Sequence, residues 1–161
     1  MLVGQPEPNL GIIPGFGGTQ RLPRWVGLAS SWKILRDGLP ISSAQAREIG
    51  LVQQVVGGDV KRAAMDLVRD MISGKAEIPR IPTGPIEVPP TLPEVDIGHL
   101  STRIDEIMQE AIVEGARTTL EKGLEIEARC FGRCLTTEDM RTGMQNFLDN
   151  GPKVKAQFKN R

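Results

Sequence analysis

Tyrosine is missing from the 161 residues, and aromatic side chains of all kinds make up only 4% of them. That leaves too few stacking platforms for a single-stranded nucleic-acid groove. Basic and acidic residues number 20 each, a formal net charge of zero, so no global field draws the chain to nucleic acid or an anionic membrane. Any anionic ligand must be held by local charge. The chain has one histidine and only two cysteines, Cys130 and Cys134. With no signal-peptide pattern at the start, a secreted disulfide scaffold is not expected, and a reducing cytoplasm fits better. No apolar run approaches the roughly 20 residues that span a bilayer. The globular class remains, with enough chain for one core built without disulfides or a structural metal.

The chain begins abruptly. Met1-Leu2-Val3-Gly4 is a strand-like stub that runs at once into Gln5-Pro6-Glu7-Pro8, and it reads like the cut end of a longer polypeptide. From Ser30 a short helix carries Trp32 and Leu35 and stops at Asp37-Gly38. Ser42 and Gln45 form a capping box that opens a helix closed by Gly50. Leu51 to Val56 is apolar and β-branched, bounded by Gly57-Gly58, and reads as a strand-like run. Asp59 is the N-cap of a further helix with its apolar stripe at Ala64, Leu67, Val68, Met71 and Ile72.

Six of the twelve prolines, Pro79, Pro82, Pro85, Pro89, Pro90 and Pro93, fall in one short stretch. They forbid a helix and predict an extended connector over residues 75–97, with a unit of residues 1–74 before it and a helical unit of residues 98–161 after it. In the second unit Ile104, Ile107, Met108, Ala111 and Ile112 make one stripe, and Leu120, Leu124, Ala128, Phe131 and Leu135 a second. Thr136-x-x-Asp139 marks a last helix start, with Met140, Met144, Phe147 and Leu148 as its buried face and Gly151-Pro152 as its end. The expected class is mainly α with a small β component.

The chemistry is concentrated near the N-terminus. Glu7 stands between two prolines, and a residue before proline is biased to extended backbone, so its carboxylate is expected on a stiff segment suited to an acid or base. Eight residues on, the loop IIPGFGGT supplies Gly15, Gly17 and Gly18, which allow close backbone approach and present amides just ahead of a helix begun by Thr19 and Gln20. Such amides can hold water or an oxyanion. The blander alternative is a tight turn beside a solvated glutamate. It is neither a P-loop nor a dinucleotide fingerprint, since no Gly-Lys-Ser/Thr follows and Gly-x-Gly-x-x-Gly is absent.

The run QPEPNLGIIPGFGGTQRL, Gln5 to Leu22, followed by GLPISSAQAREIGLVQQVV, Gly38 to Val56, resembles consecutive parts of the enoyl-CoA hydratase (crotonase) family. TTEDMRTGMQNFLDN is similar to that family's last helix and KAQFKNR to its usual ending. The proline-rich connector matches nothing usual in it. The resemblance implies the C-terminal part of a crotonase-like β/α spiral fold followed by a helical oligomerisation region. It also implies a lyase that adds water to the α,β-double bond of an enoyl-CoA thioester, the coenzyme A being carried by the substrate, with no separate cofactor. By position, Glu7 would deliver the proton to the α-carbon, and Gly15 would offer its N–H to the reacting water. Leu10, Ile12, Ile13 and Phe16 would supply an apolar surround that lifts the carboxyl toward neutrality. Pro8 stands where Ile, Val or Thr is more usual.

In that family the second glutamate, the two N–H donors to the thioester oxygen and most of the CoA cleft come from a preceding half that these residues do not contain, so the chain alone is expected to be a very poor catalyst. The resemblance further implies a homotrimer or hexamer held by the stripes between Ile104 and Leu148. The basic tail, with Phe158 and Lys159, would then reach the CoA adenine and phosphates of a neighbouring subunit. Related reactions, among them isomerase, decarboxylase and thioester hydrolase, share these motifs, and a non-catalytic helical assembly module is the alternative from another class.

Other candidates read as structural. His99 is expected as a surface residue ahead of a helix, and Cys130 and Cys134, four apart on one helix face, as small buried apolar residues without further metal ligands. Glu121, Glu125 and Glu127 with Lys122 and Arg129 read as a solvated helix face.

Overall fold

Two residues near the start pair with two after the second helix, and everything else regular is helical. The computed structural model describes residues 1–161. Strand β1 (Leu2–Val3) lies antiparallel to β2 (Ile41–Ser42), Leu2 opposite Ser42 and Val3 opposite Ile41. Helices α1 (Gly18–Val26) and α2 (Leu28–Arg36) fall between the strands, and α3 (Ser43–Glu48) follows. The expected capping box is formed: Ser42 Oγ accepts from the Gln45 N–H at 3.2 Å, and Gln45 Oε1 accepts from the Ser42 N–H at 2.9 Å. Helix α4 (Val60–Ile72) starts at the Asp59 cap, and α5 (Thr102–Ala116), α6 (Leu120–Cys134) and α7 (Glu138–Asn150) complete the chain.

The core joins both sides of the proline-rich stretch. Ile13, Leu22 of α1 and Leu28, Trp32, Ile34 and Leu35 of α2 pack with Ile104, Ile107, Met108, Ala111 and Ile112 of α5 and with Cys130 and Cys134 of α6. The stripe expected on α5 is thus its buried face, and each large side chain there contributes about 1.5–3 kcal/mol by leaving water. The connector has no helix, as its prolines require, but it is strapped onto this core rather than hanging free. Val88, Leu92 and Val95 pack against it, Trp32 Nε1 donates to the Pro93 carbonyl at 2.9 Å, and the Ile86 and Leu120 N–H groups donate to Ala116 and Thr83.

Several expected faces are corrected. Leu51–Val56 forms no strand, and the sheet consists of β1 and β2 alone. On α6 the buried line is Gly123, Glu127, Cys130 and Cys134, one position off the expected stripe, while Leu135 is 47% exposed. On α7 the buried residues are Asp139 and Gly143, and Met144, Phe147 and Leu148 face outward. The cap of α7 is Thr137, whose Oγ1 accepts from Met140 N–H, not Thr136. No residue of α4 is buried, so its apolar stripe is uncovered.

The tail is anchored. Asp139, fully buried, accepts from Ser101 Oγ at 2.6 Å and from the Lys159 N–H and Asn160 Nδ2 at 2.8 Å each. Burial opposes ionisation of Asp139, but these hydrogen bonds outweigh it and hold its carboxyl below the ordinary aspartate range. A folded value below the unfolded one gives stability that is complete above the unfolded value and lost as pH falls through the folded one. Acid is therefore expected to free residues 157–161, seen as loss of Lys159 amide protection below about pH 4. An Asp139→Asn chain should lack that acid step, and a step that survives the substitution would place its origin elsewhere.

Candidate active site

Glu7 opens a 3₁₀ turn, Glu7–Leu10, closed by Gly11 in the left-handed region with its N–H bonded to the Glu7 and Pro8 carbonyls. The extended backbone expected before proline is not adopted. The turn is held from below by α7, where Gly143 lies so close to Leu10 and Gly11 that a Cβ would collide with their backbone. That contact, α7 against the turn, sets the position of Glu7.

The Glu7 carboxyl is half-buried, and its Oε2 is buried without any hydrogen-bond partner in the chain. A buried oxygen left without a partner disfavours the folded state unless a ligand or water meets it. Two clefts meet at this side chain. One, of about 570 Å³, is lined by Glu7, Gly15, Arg21, Trp25 and Leu51; the other, of about 520 Å³, by Glu7, Leu10, Phe147, Val154 and Lys155. Glu7 is the only acid in either lining. Phe16 is fully exposed and does not shield it.

The glycine loop faces the first cleft. Phe16 takes a positive φ of 52° and Gly17 one of 80°, two left-handed residues in succession, and α1 starts directly after them. Gly17 fits that conformation without strain, whereas Phe16 is the chain's one non-glycine residue held there. The amides at this terminus are mostly taken. Gly17 N–H donates to Glu127 Oε1 at 2.6 Å, Thr19 N–H and Thr19 Oγ1 donate to Glu127 Oε2 at 2.9 and 2.5 Å, and Gly18 N–H donates to the Gly15 carbonyl. So the α1 terminus is not an open oxyanion cradle: its anion is a side chain of the same chain. The Gly15 N–H has no acceptor in the chain and is left for an incoming group.

Glu127 is therefore not on a solvated face; at 5% exposure it is among the most buried acids. Gln20 and Arg24, equally unforeseen, are buried beside it. Gln20 Nε2 donates to the Ala111 carbonyl at 2.9 Å, and Arg24 donates to the Gly115 and Thr118 carbonyls at 2.9 and 3.0 Å, locking α1 onto the α5–α6 turn.

Other candidates lie elsewhere. Phe158 is only 4% exposed, packed with Leu100, Ala156 and Ile97, so its ring is occupied by its own chain and is not presented to a nucleobase. Lys159 Nζ remains at the surface, paired with Glu138 at 2.6 Å. His99 is half-buried rather than a surface residue. Burial, with Lys155 and Arg161 nearby, holds its imidazole below the ordinary histidine value, favouring the neutral form. Cys130 and Cys134 are free and buried, and burial pushes both thiols up, away from the reactive thiolate. No helix is long and apolar enough to cross a membrane.

A buried carboxyl oxygen without a partner and a loop N–H without an acceptor thus line one cleft, an arrangement that can serve acid/base chemistry. A family model for enoyl-CoA hydratase/isomerase matches residues 2–81. Similarity extends to a short-chain-enoyl-CoA hydratase of Clostridioides difficile, 34% identical over 144 residues, covering 89% of this chain and 77% of that protein. A crotonyl-CoA hydratase of Syntrophomonas wolfei is 35% identical over 155 residues, covering 96% of this chain and 49% of that protein. An enoyl-CoA hydratase structure from Bacillus anthracis aligns at 29% identity and a TM-score of 0.40, covering 97% of this chain and 50% of that one. The chain belongs to the enoyl-CoA hydratase/isomerase family, and it spans about half the length of most of the relatives it matches.

Proposed function

We propose that these residues supply one half of a hydratase site, acting on the α,β-double bond of an enoyl-CoA thioester. The observation that carries this reading is the Glu7 Oε2 atom, buried without a partner in a cleft shared with Gly15. Hydration places a hydroxyl on the β-carbon and a proton on the α-carbon. Glu7, as the acid, delivers that proton, and the Gly15 N–H donates to the water oxygen and fixes it for attack. A second carboxylate, to take the proton of the attacking water, and donors to the thioester oxygen are not found at either cleft, and they complete the site from outside these residues.

The coenzyme A portion comes with the substrate, so the reading needs no separate cofactor. Lys159 is the tail's candidate cation for its phosphates. Trimeric or hexameric assembly is part of the same reading. It is supported by the outward apolar side chains Met144, Phe147 and Leu148 of α7 rather than by α5, which the chain's own core consumes. A cytoplasmic site is supported by two free, buried thiols. The uncovered α4 favours one other reading, a non-catalytic helical assembly module in which Glu7 is idle.

The test compares the 161-residue chain with the complete gene product by loss of the conjugated-thioester absorbance of crotonyl-CoA. Turnover by the complete product and none above background by the 161 residues is the expected result. Robust turnover by the 161 residues would refute the half-site reading. A complete product that oligomerises yet turns over no enoyl-CoA would favour the assembly module.

A further inference from the structure

We propose that Glu127, on α6, is a positioning residue for the Gly15 amide. The proposal rests on the hydratase reading above for its kinetic consequence, but its geometry stands on the chain alone. The carboxylate is reached from across the fold, 110 positions from Gly17 in sequence, and both of its oxygens are spent on one short segment: Gly17 N–H at 2.6 Å, Thr19 N–H at 2.9 Å and Thr19 Oγ1 at 2.5 Å.

Those three bonds sit immediately after the two left-handed residues Phe16 and Gly17. A non-glycine residue in that region costs free energy and persists only when its surroundings over-determine it. Two sets of contacts do so here. On the exposed side, Arg21 hydrogen-bonds the Phe16 carbonyl, a contact open to solvent. On the buried side Glu127 clamps Gly17 and Thr19, and because Gly18 N–H returns to the Gly15 carbonyl at 2.9 Å, the clamp is transmitted to Gly15 itself. The negative charge also lies at the N-terminus of α1, where the helix dipole and the free amides favour it. Glu127 touches neither cleft, so it acts through the loop and not on a reacting atom.

Its role differs from that of a core carboxylate in what its loss should change. A group that only held the fold together would lower stability and leave the turnover of folded molecules alone. One that aims the Gly15 N–H at the attacking water acts on the transition state, where a displacement of about 1 Å is worth roughly 10²-fold in rate. Glu127→Gln keeps the shape and removes the charge, and it turns an NH₂ toward one of the N–H donors. Thr19→Val is milder, deleting one donor of the three.

The experiment has two arms. In the 161-residue chain, amide exchange followed by NMR should show Gly17 and Thr19 losing about tenfold or more of their protection in Glu127→Gln, with Ile107 and Ile112 in α5 unchanged. In the complete gene product, kcat for crotonyl-CoA should fall by roughly 10- to 100-fold with KM within about threefold. A folded variant whose Gly17 protection is lost but whose kcat is that of the wild type would overturn the proposal, as would one in which neither changes. If Glu127→Gln does not fold, Thr19→Val decides: a kcat lowered by about threefold or more at constant KM supports positioning, and a wild-type kcat refutes it. Should the wild-type product hydrate no enoyl-CoA, the hydratase reading fails, and the exchange arm alone decides whether Glu127 holds the loop.

Discussion

Glu7→Gln in the complete gene product is expected to lower enoyl-CoA turnover by roughly 10²- to 10⁴-fold while leaving thioester affinity nearly unchanged, the loss general acid–base groups show when deleted. The change is isosteric. An amide cannot deliver a proton to carbon or recover one, so the step fails even where the substrate sits correctly. Stability gives the control. The buried Oε2 has no partner inside the chain, so the substitution breaks no internal bond at that atom, and the melting temperature should move little. Calorimetry of acyl-CoA binding beside steady-state hydration separates the two effects, and a variant with normal turnover would remove Glu7 from the chemistry.

That Glu7 and Gly15 share a cleft is readable from the sequence because a carboxylate and a glycine loop stand so near one another along the chain. The Ser42 cap, the Asp59 cap and the α5 stripe were legible for the same reason, each being a pattern complete within a turn or two of helix. Glu127 was missed because its partners lie more than a hundred positions away, and a charged residue on a helix is ordinarily solvated.

A signal for Glu127 did exist. Cys130 and Cys134, read as buried, sit on the same helical face as Glu127 and Gly123, and following that face backward by three and then four positions leads into the core. The apolar-only stripe through Leu124 and Ala128 lies one position away from it. On α7 the apolar side chains at helical spacing point away from the core, because the turn carrying Glu7 approaches α7 so closely that only Gly143 and the fully buried Asp139 fit beneath it. Periodicity reports that a face is apolar but not what covers it, and within these residues nothing covers Met144 or Leu148.

Asp105→Ala is expected to destabilise the chain by about 3–5 kcal/mol, the usual consequence of leaving one member of a buried ion pair without the other. Arg36 on α2 grips Asp105 on α5 with a fork: Nε to Oδ1 at 2.7 Å and a terminal nitrogen to Oδ2 at 2.6 Å, with side-chain exposures of 9% and 8%. Gln109 Nε2 adds a third donor to Oδ2 at 2.7 Å, and the guanidinium lies 4.8 Å from the centre of the Trp32 ring. Removing the carboxylate therefore strands a cation among Trp32, Leu35 and the α5 stripe, where water cannot solvate it. Against a total stability on the order of 5–15 kcal/mol for a domain, that loss is a large fraction. The pair need not be stabilising relative to an apolar one. Exchanging both partners, Asp105→Leu with Arg36→Met, should recover most of the loss, because desolvating two charges offsets most of their attraction. Urea denaturation of Asp105→Ala, of the matched singles Asp105→Leu and Arg36→Met, and of their double variant measures the loss and closes the cycle. A single variant that loses less than about 1 kcal/mol would mean that apolar packing alone holds α2 on α5. A double variant no more stable than Asp105→Ala would mean that the fork itself, not relief of a stranded charge, seats α2 on α5.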